Sequence, residues 1–235
     1  MTEEHKLFVK QSIDGVRRRI SEASTGEHGE VILLAATKTV DAETINYAVN
    51  ELGLTHIGEN KVQELVEKYP RLDKEKVHIH FIGHLQTNKV KQIIDKVELI
   101  HSLDSISLAK EIGKRASAIG KVMQVLVEIN IAEEESKGGI NPKGTENFIR
   151  EASQIKGIRI MGLMTMAPAG STDEEYRRYF TETREIFREM SEKNIHDTEM
   201  RYLSMGMSGS YEEAVRCGSN IVRVGSAIFG RRNYL

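Results

Sequence analysis

The sequence predicts an α/β fold, a single (β/α)8 barrel of the TIM type occupying residues 1–235 as one domain. Three observations predict it. Short runs rich in aliphatic and β-branched residues alternate with amphipathic helical segments along the chain, a rhythm that implies parallel strands joined by right-handed crossovers. Eight such units fit into 235 residues, which suits a closed barrel better than an open sheet. The first unit opens on an unbroken apolar run, residues 31–37, as strands buried on both faces do.

Each element has a local cause. Asp41 caps a helix whose apolar face is Ile45, Ala48, Val49 and Leu52, and Gly53 stops it. Residues 55–58 form a second strand, and a helix over 61–69 ends before Pro70. Strand three covers 78–83, and Thr87 starts a helix carrying Val90, Ile93, Ile94 and Val97. Strand four is 99–103, with Asp104 or Ser105 opening the helix of Leu108, Ile112 and Ile119. Strand five spans 122–131, and a helix over 143–155 leads to strand six at 158–164. Ser171 and Thr172 precede Glu174 and Glu175 by three residues, two overlapping capping boxes for the helix of Tyr176, Phe180, Thr183, Phe187 and Met190. Strand seven is 202–205, a short helix follows at 210–217, and strand eight runs 221–229 with no helix after it. An extra N-terminal helix over 3–24, bearing Leu7, Val9, Ile13, Val16 and Ile20, is predicted to cover the barrel wall left bare there.

Composition narrows the function. With 39% hydrophobic and 29% charged residues the chain has material for a core and a well-solvated surface. A net charge of −2 supplies no electrostatic footprint for nucleic acid or a membrane surface. The single cysteine, Cys217, forms no intrachain disulfide and fits a reducing compartment. The first residues lack the basic and apolar regions of a secretory signal, and no apolar run reaches membrane-spanning length, so the expected location is the cytoplasm.

The chemistry gathers where the strands end. Lys38 closes the first apolar run, at the barrel face that carries active sites. An amine there either snorkels to water or, through burial, keeps a neutral nucleophilic fraction able to capture an aldehyde. Strands seven and eight end in Leu203-Ser204-Met205-Gly206-Met207-Ser208-Gly209-Ser210 and Val222-Arg223-Val224-Gly225-Ser226. Such glycines and serines either make tight turns or bring amide and hydroxyl donors to an anion, and these two loops are the usual phosphate seat of a barrel. Ser210 and Glu213 stand at capping-box spacing. Arg223 shares a strand face with Ile221 and Gly225, so its guanidinium meets either a core carboxylate such as Glu128 or a ligand. An aldehyde-accepting lysine, a phosphate cup and a polar contact for a ring together describe pyridoxal 5′-phosphate (PLP).

Several stretches carry a resemblance in order along nearly the whole chain: Ala35-Ala36-Thr37-Lys38, His56-Ile57-Gly58-Glu59-Asn60, His80-Phe81-Ile82-Gly83-His84-Leu85-Gln86, Gly162-Leu163-Met164-Thr165-Met166, and the two strand-end sequences above. On these motifs the sequence resembles the pyridoxal phosphate homeostasis protein family, itself similar to the N-terminal barrel of alanine racemase. The resemblance implies that Lys38 holds PLP as an internal aldimine. It further implies that Ser204, Ser208 and the backbone of Gly225 and Ser226 hold the phosphate, that Met205 lies among the cofactor-binding residues, that Arg223 faces the pyridine nitrogen and that Asn60 touches the cofactor. It implies a carrier in vitamin B6 and amino-acid or keto-acid balance rather than a dedicated enzyme; PLP-dependent apo-enzymes are the expected recipients and a monomer the expected form. Ser210 departs from the aspartate common at this position, and both residues cap helices.

Two other activities compete. In a weak single-domain amino-acid racemase, the second base would have to replace the tyrosine that a further β domain supplies in racemases, and Tyr234 is the one candidate in the tail. A class I aldolase would use Lys38 directly on its substrate. His78 and His80 share a strand face, but without Cys or acidic residues at ligand spacing no metal is expected. His84 belongs to the rim, the 133–139 segment reads as a solvated loop, and Lys137 within it lacks a reason for a lowered pKa. Cys217 is expected to be inert core, and Arg231-Arg232 is too short for nucleic acid.

Overall fold

The computed structural model describes residues 1–24, 26, 29–134 and 137–230. Eight parallel strands close into a barrel in sequence order, β1 (Ile32–Ala36), β2 (His56–Glu59), β3 (His78–Phe81), β4 (Leu99–Leu103), β5 (Met123–Ile129), β6 (Ile158–Thr165), β7 (Thr198–Met207) and β8 (Ile221–Val224). Closure comes from β8 lying beside β1, with Leu34 opposite Arg223 and Ala35 opposite Val224.

Alternation along each strand divides the apolar residues between two layers. Leu34, Ile82, Leu99, Leu126, Met161, Met164 and Ile221 fill the barrel interior, joined by Ile32 and Ala36. Ala35, Ile57, Phe81, Ile100, Val127, Leu203 and Val224 point outward to the helices α2 (Ala42–Leu52), α3 (Val62–Lys68), α4 (Ile106–Ala118), α5 (Thr145–Ala152), α6 (Asp173–Glu192) and α7 (Tyr211–Arg216). Asp41 and Ser105 cap α2 and α4 through their side chains, and Thr172 with Glu175 forms a complete capping box on α6. Ser171 takes no part in it: its hydroxyl donates to Pro168 O instead.

Three local expectations are corrected. Strand eight stops at Val224, and Ser226–Phe229 forms a single helical turn, α8, because the N–H groups of Ile228 and Phe229 both turn back to Gly225 O. After β3 the chain makes 3-10 turns, with Lys89 N bonded to Gln86 O and Ile93 N to Val90 O; Val90, Ile93, Ile94 and Val97 are nevertheless buried as the apolar pattern requires. Ser210 gives no side-chain cap to α7, since its hydroxyl accepts from Met207 N, and Glu213 pairs with Arg177 and Arg216.

The N-terminal helix α1 (Glu3–Ala23) packs on α2, α7 and α8. It buries Val9, Ile13, Val16 and Ile20 and fills the gap that one short turn after β8 leaves in the outer layer. No helix among the described residues is long and apolar enough to cross a membrane.

Candidate functional site

On the β1 side of the barrel mouth, Thr37 N–H donates to Gly58 O at 2.9 Å, carrying the ladder one residue past the strand. Lys38 follows two positions after the inward-facing Ala36, so it continues the interior face at the carboxyl ends of the strands. Its amine has no hydrogen-bond or ion-pair partner among the described residues. The backbone around it is held firmly. Thr37 Oγ1 donates to Glu59 Oε1 at 2.7 Å, and Lys68 Nζ donates to Thr37 O at 2.8 Å and Glu59 Oε1 at 2.9 Å. Thr39, with a left-handed φ of 65°, donates its N–H to Glu64 Oε2 at 2.8 Å, and Glu64 also pairs with Lys68 at 3.3 Å. Glu59 is fully buried, and burial raises its carboxyl pKa against the pull of Lys68. The result is a buried charge cluster that grips both neighbours of Lys38 and leaves its head free.

Asn60 lies one residue beyond β2, on the inward parity of Gly58. Its carbonyl abuts Gly83, where a Cβ would come within 2.1 Å, so only glycine lets the two loops meet this closely. Across the mouth, Gly206 (φ 85°) turns the end of β7 against α7; a Cβ there would approach Tyr211 Cα at 2.9 Å. Ser208 then places its Oγ 3.2 Å from both Gly225 N and Ala227 N, which donate to it at the start of α8, with Ser226 between them. Gly225 packs against the Lys38 strand, where a Cβ would stand 3.1 Å from Ala36 O. The structure thus brings Lys38, Ser208, Gly225 and Ser226 to one end of adjoining strands.

Arg223 sits one level deeper, buried in the interior. Its Nη1 donates to Ser204 O at 2.9 Å and Ser204 Oγ at 2.7 Å, and Nη2 donates to Thr165 O at 2.9 Å. Burial pulls its pKa down to about 10, with Glu128 opposing. The two share no ion pair within 4.0 Å among the described residues, so Glu128 is an electrostatic neighbour and not the arginine's direct partner. The Glu128 carboxyl is itself pushed up to about 6, first by burial and then by Asp104, with Arg223 and His84 offsetting part.

Two of the expected site residues have side chains engaged away from the rim. Ser204 is fully buried below the rim, with its hydroxyl engaged by Arg223 and His101. Met205 alternates to the outer face and is buried among the sheet–helix contacts, which withdraws its side chain from the site. His84 is exposed and lies 3.4 Å from Asp104. Cys217 is half-buried, and burial raises its thiol pKa. Arg231, Arg232 and Tyr234 lie outside the described residues, as do Glu135 and Ser136 of the loop after β5.

Sequence reasoning missed the row of histidines beneath Arg223. His101 Nδ1 lies 3.1 Å from Ser204 Oγ, His101 Nε2 lies 2.9 Å from His80 Nδ1, and His80 Nε2 lies 3.1 Å from His56 Nδ1. The signal was inward parity on three successive strands, visible only once their register is known. Among the described residues no group of three His, Cys, Asp or Glu is placed to hold a metal ion.

The family model of the alanine racemase N-terminal domain matches residues 13–233. A protein of Aquifex aeolicus named pyridoxal phosphate homeostasis protein is 40% identical over 226 residues, 96% of this chain and 97% of its own length. One of the same name from Escherichia coli K12 is 33% identical over 96% of this chain and 97% of its own. The structure of PipY of Synechococcus elongatus with PLP bound superposes with a TM-score of 0.83 at 28% identity, covering 94% of this chain and 100% of PipY. Alanine racemase of Clostridium difficile shares the fold alone, with a TM-score of 0.75 at 14% identity over 93% of this chain and 57% of the racemase.

Proposed function

The chain belongs to the pyridoxal phosphate homeostasis protein family, and from that premise we propose that it binds PLP covalently through Lys38. In this reading it is a carrier in vitamin B6 and amino-acid or keto-acid balance and not a dedicated enzyme. The observation that carries the reading is an amine without a partner among the described residues, two positions past Ala36, which packs against Gly225 at the strand end where the Ser208 hydroxyl meets the Gly225 and Ala227 amides. The donor set fits the cofactor: a free amine for its aldehyde, uncharged donors for its phosphate, and a guanidinium, which only donates, for an unprotonated ring nitrogen. When bound, PLP supplies an aldehyde that a lysine amine captures reversibly with loss of water.

The protein's own groups then have distinct tasks. The Glu59–Lys68–Glu64 cluster holds the backbone at Thr37 and Thr39, which aims Lys38 without engaging its nitrogen. Ser208 and the first amides of α8 bind the anionic tail, and Asn60 lines the opposite rim. Arg223, a cation anchored on two carbonyls and a hydroxyl, disfavours a proton on the ring nitrogen. A ring left unprotonated is a weak electron sink, which suits storage better than turnover. The recipients are PLP-dependent apo-enzymes, and the working form is a cytoplasmic monomer folded as one domain.

The test is a visible spectrum of the PLP-loaded protein beside Lys38→Ala, followed by α-proton exchange with L- and D-alanine in deuterated water. The carrier reading predicts a lysine-dependent absorbance band and exchange near background. Exchange at ordinary enzymatic rates, about 1 s⁻¹ or faster, would favour the racemase and overturn the carrier.

A further inference from the structure

We propose that His101, backed by His80 and His56, is a positioning residue for the ring-facing arginine: it accepts the Ser204 hydroxyl proton and thereby keeps Ser204 Oγ turned toward Arg223 Nη1. The proposal rests on the reading that Arg223 faces the cofactor ring.

A barrel interior is normally closed by layers of branched aliphatic side chains. Here β2, β3 and β4 each contribute a histidine instead, and the row ends on the guanidinium: Arg223 Nη1 to Ser204 Oγ 2.7 Å, Ser204 Oγ to His101 Nδ1 3.1 Å, His101 Nε2 to His80 Nδ1 2.9 Å, His80 Nε2 to His56 Nδ1 3.1 Å. His101 and His80 use both ring nitrogens, so neither is a spacer in a polar gap.

The direction of the row follows from donor counting. Burial, the largest cause, holds His80 down to about 3 and His101 well below the ordinary histidine value, so both rings are neutral with one N–H and one lone pair. Arg223 can only donate, so Ser204 Oγ accepts from it and retains a single proton to give. With that proton directed at His101 Nδ1, His101 carries its hydrogen on Nε2 and donates to His80 Nδ1. His80 in turn donates from Nε2 to His56 Nδ1, and every link has one donor and one acceptor. His56 half-emerges at the start of β2, where it lines a cavity of ≈ 730 Å³ with Arg17, Glu30 and Thr55. The opposite polarity would leave the buried Ser204 hydroxyl without an acceptor and point an N–H dipole at a buried cation. Both cost free energy. His78 stands outside the row, stacked on His56 with ring centroids 4.7 Å apart and bonded to Glu98 at 2.7 Å.

The tautomers are measurable in the protein without PLP. Nitrogen-15 NMR should show His101 and His80 both protonated on Nε2; Nδ1 protonation of either would overturn the proposal. In the loaded protein, His101→Leu and Ser204→Ala should each speed PLP release roughly tenfold, the weight of one buried hydrogen bond, and shift the visible absorbance band. His101→Asn, whose amide oxygen takes the place of Nδ1, should restore both. Borohydride labelling of Lys38 separates the two levels of the argument. An unlabelled wild type would refute the site reading itself, whereas labelled variants that release PLP like the wild type would refute only the positioning role. Should His101→Leu fail to fold, the tautomers and Ser204→Ala still decide.

Discussion

The β1 side of the barrel mouth rests on buried charge, whereas the β7–β8 side rests on hydroxyl and amide hydrogen bonds. Under Lys38, Glu59 and Lys68 form a pair shielded from water and tied to the Thr37 backbone. Under Ser208 and Gly225 the contacts are single hydrogen bonds of 3.2 Å. The difference suits the proposed function. There, a reactive amine would need a rigid backbone that leaves its own nitrogen unpaired, which the neighbouring ion pair provides. An anion seat would need available donors, and the few 3.2 Å bonds at Ser208 are weak enough to share.

The largest effect should come from breaking the charged side. Lys68→Met leaves Glu59 buried without its cation and should cost about 3–5 kcal/mol in urea unfolding. Pairing it with Glu59→Gln should recover a large part. A loss below that of Ser208→Ala would break the contrast.

Next in size is a pH effect deeper in the barrel. The Glu128 carboxyl, at about 6 in the fold against an ordinary 4.5, binds its proton more tightly folded than unfolded. Its contribution is therefore fully present below pH 4.5 and is lost as pH rises through about 6. Glu128→Gln should remove that decline and gain about 2 kcal/mol near pH 7, on the scale of 1.36 kcal/mol per unit. Parallel stability–pH curves for variant and wild type would contradict this.

Ser208→Ala removes the acceptor of two amides and should cost about 1–2 kcal/mol of stability, with a matching loss of PLP affinity by titration. The smallest effect belongs to Met205→Leu. Facing the helices, it should change stability by less than about 1.5 kcal/mol and leave PLP affinity unmoved; a clear loss of affinity would return Met205 to the site.

Much of this was legible in the sequence because burial and parity are local. The unbroken run before Lys38 marks a strand buried on both faces, and the Ile221–Arg223–Gly225 alternation places the arginine inside the barrel. The same alternation puts the Met205 side chain on the outer face, where the structure has it. Depth was not legible. Ser204 stands opposite Ile221 and Met207 opposite Arg223, a one-residue slip in the β7–β8 pairing that strand counting does not show and that sets which residues of the two strands meet. Strand eight ends earlier than its apolar Ala227, Ile228 and Phe229 predict, because their segment turns back on Gly225 O and its Ala227 amide is taken by Ser208 Oγ from the loop after β7. The Glu59–Lys68 pair and the histidine row join separate elements with no fixed sequence spacing, so only the closed barrel brings them together.

Which nitrogen captures the cofactor decides the proposed function most directly. Reduction of the PLP-loaded protein with borohydride, followed by peptide mass spectrometry, should find one stoichiometric phosphopyridoxyl group, on Lys38. A label shared among surface lysines, or lodged on Lys137 with Lys38 unmodified, would contradict it.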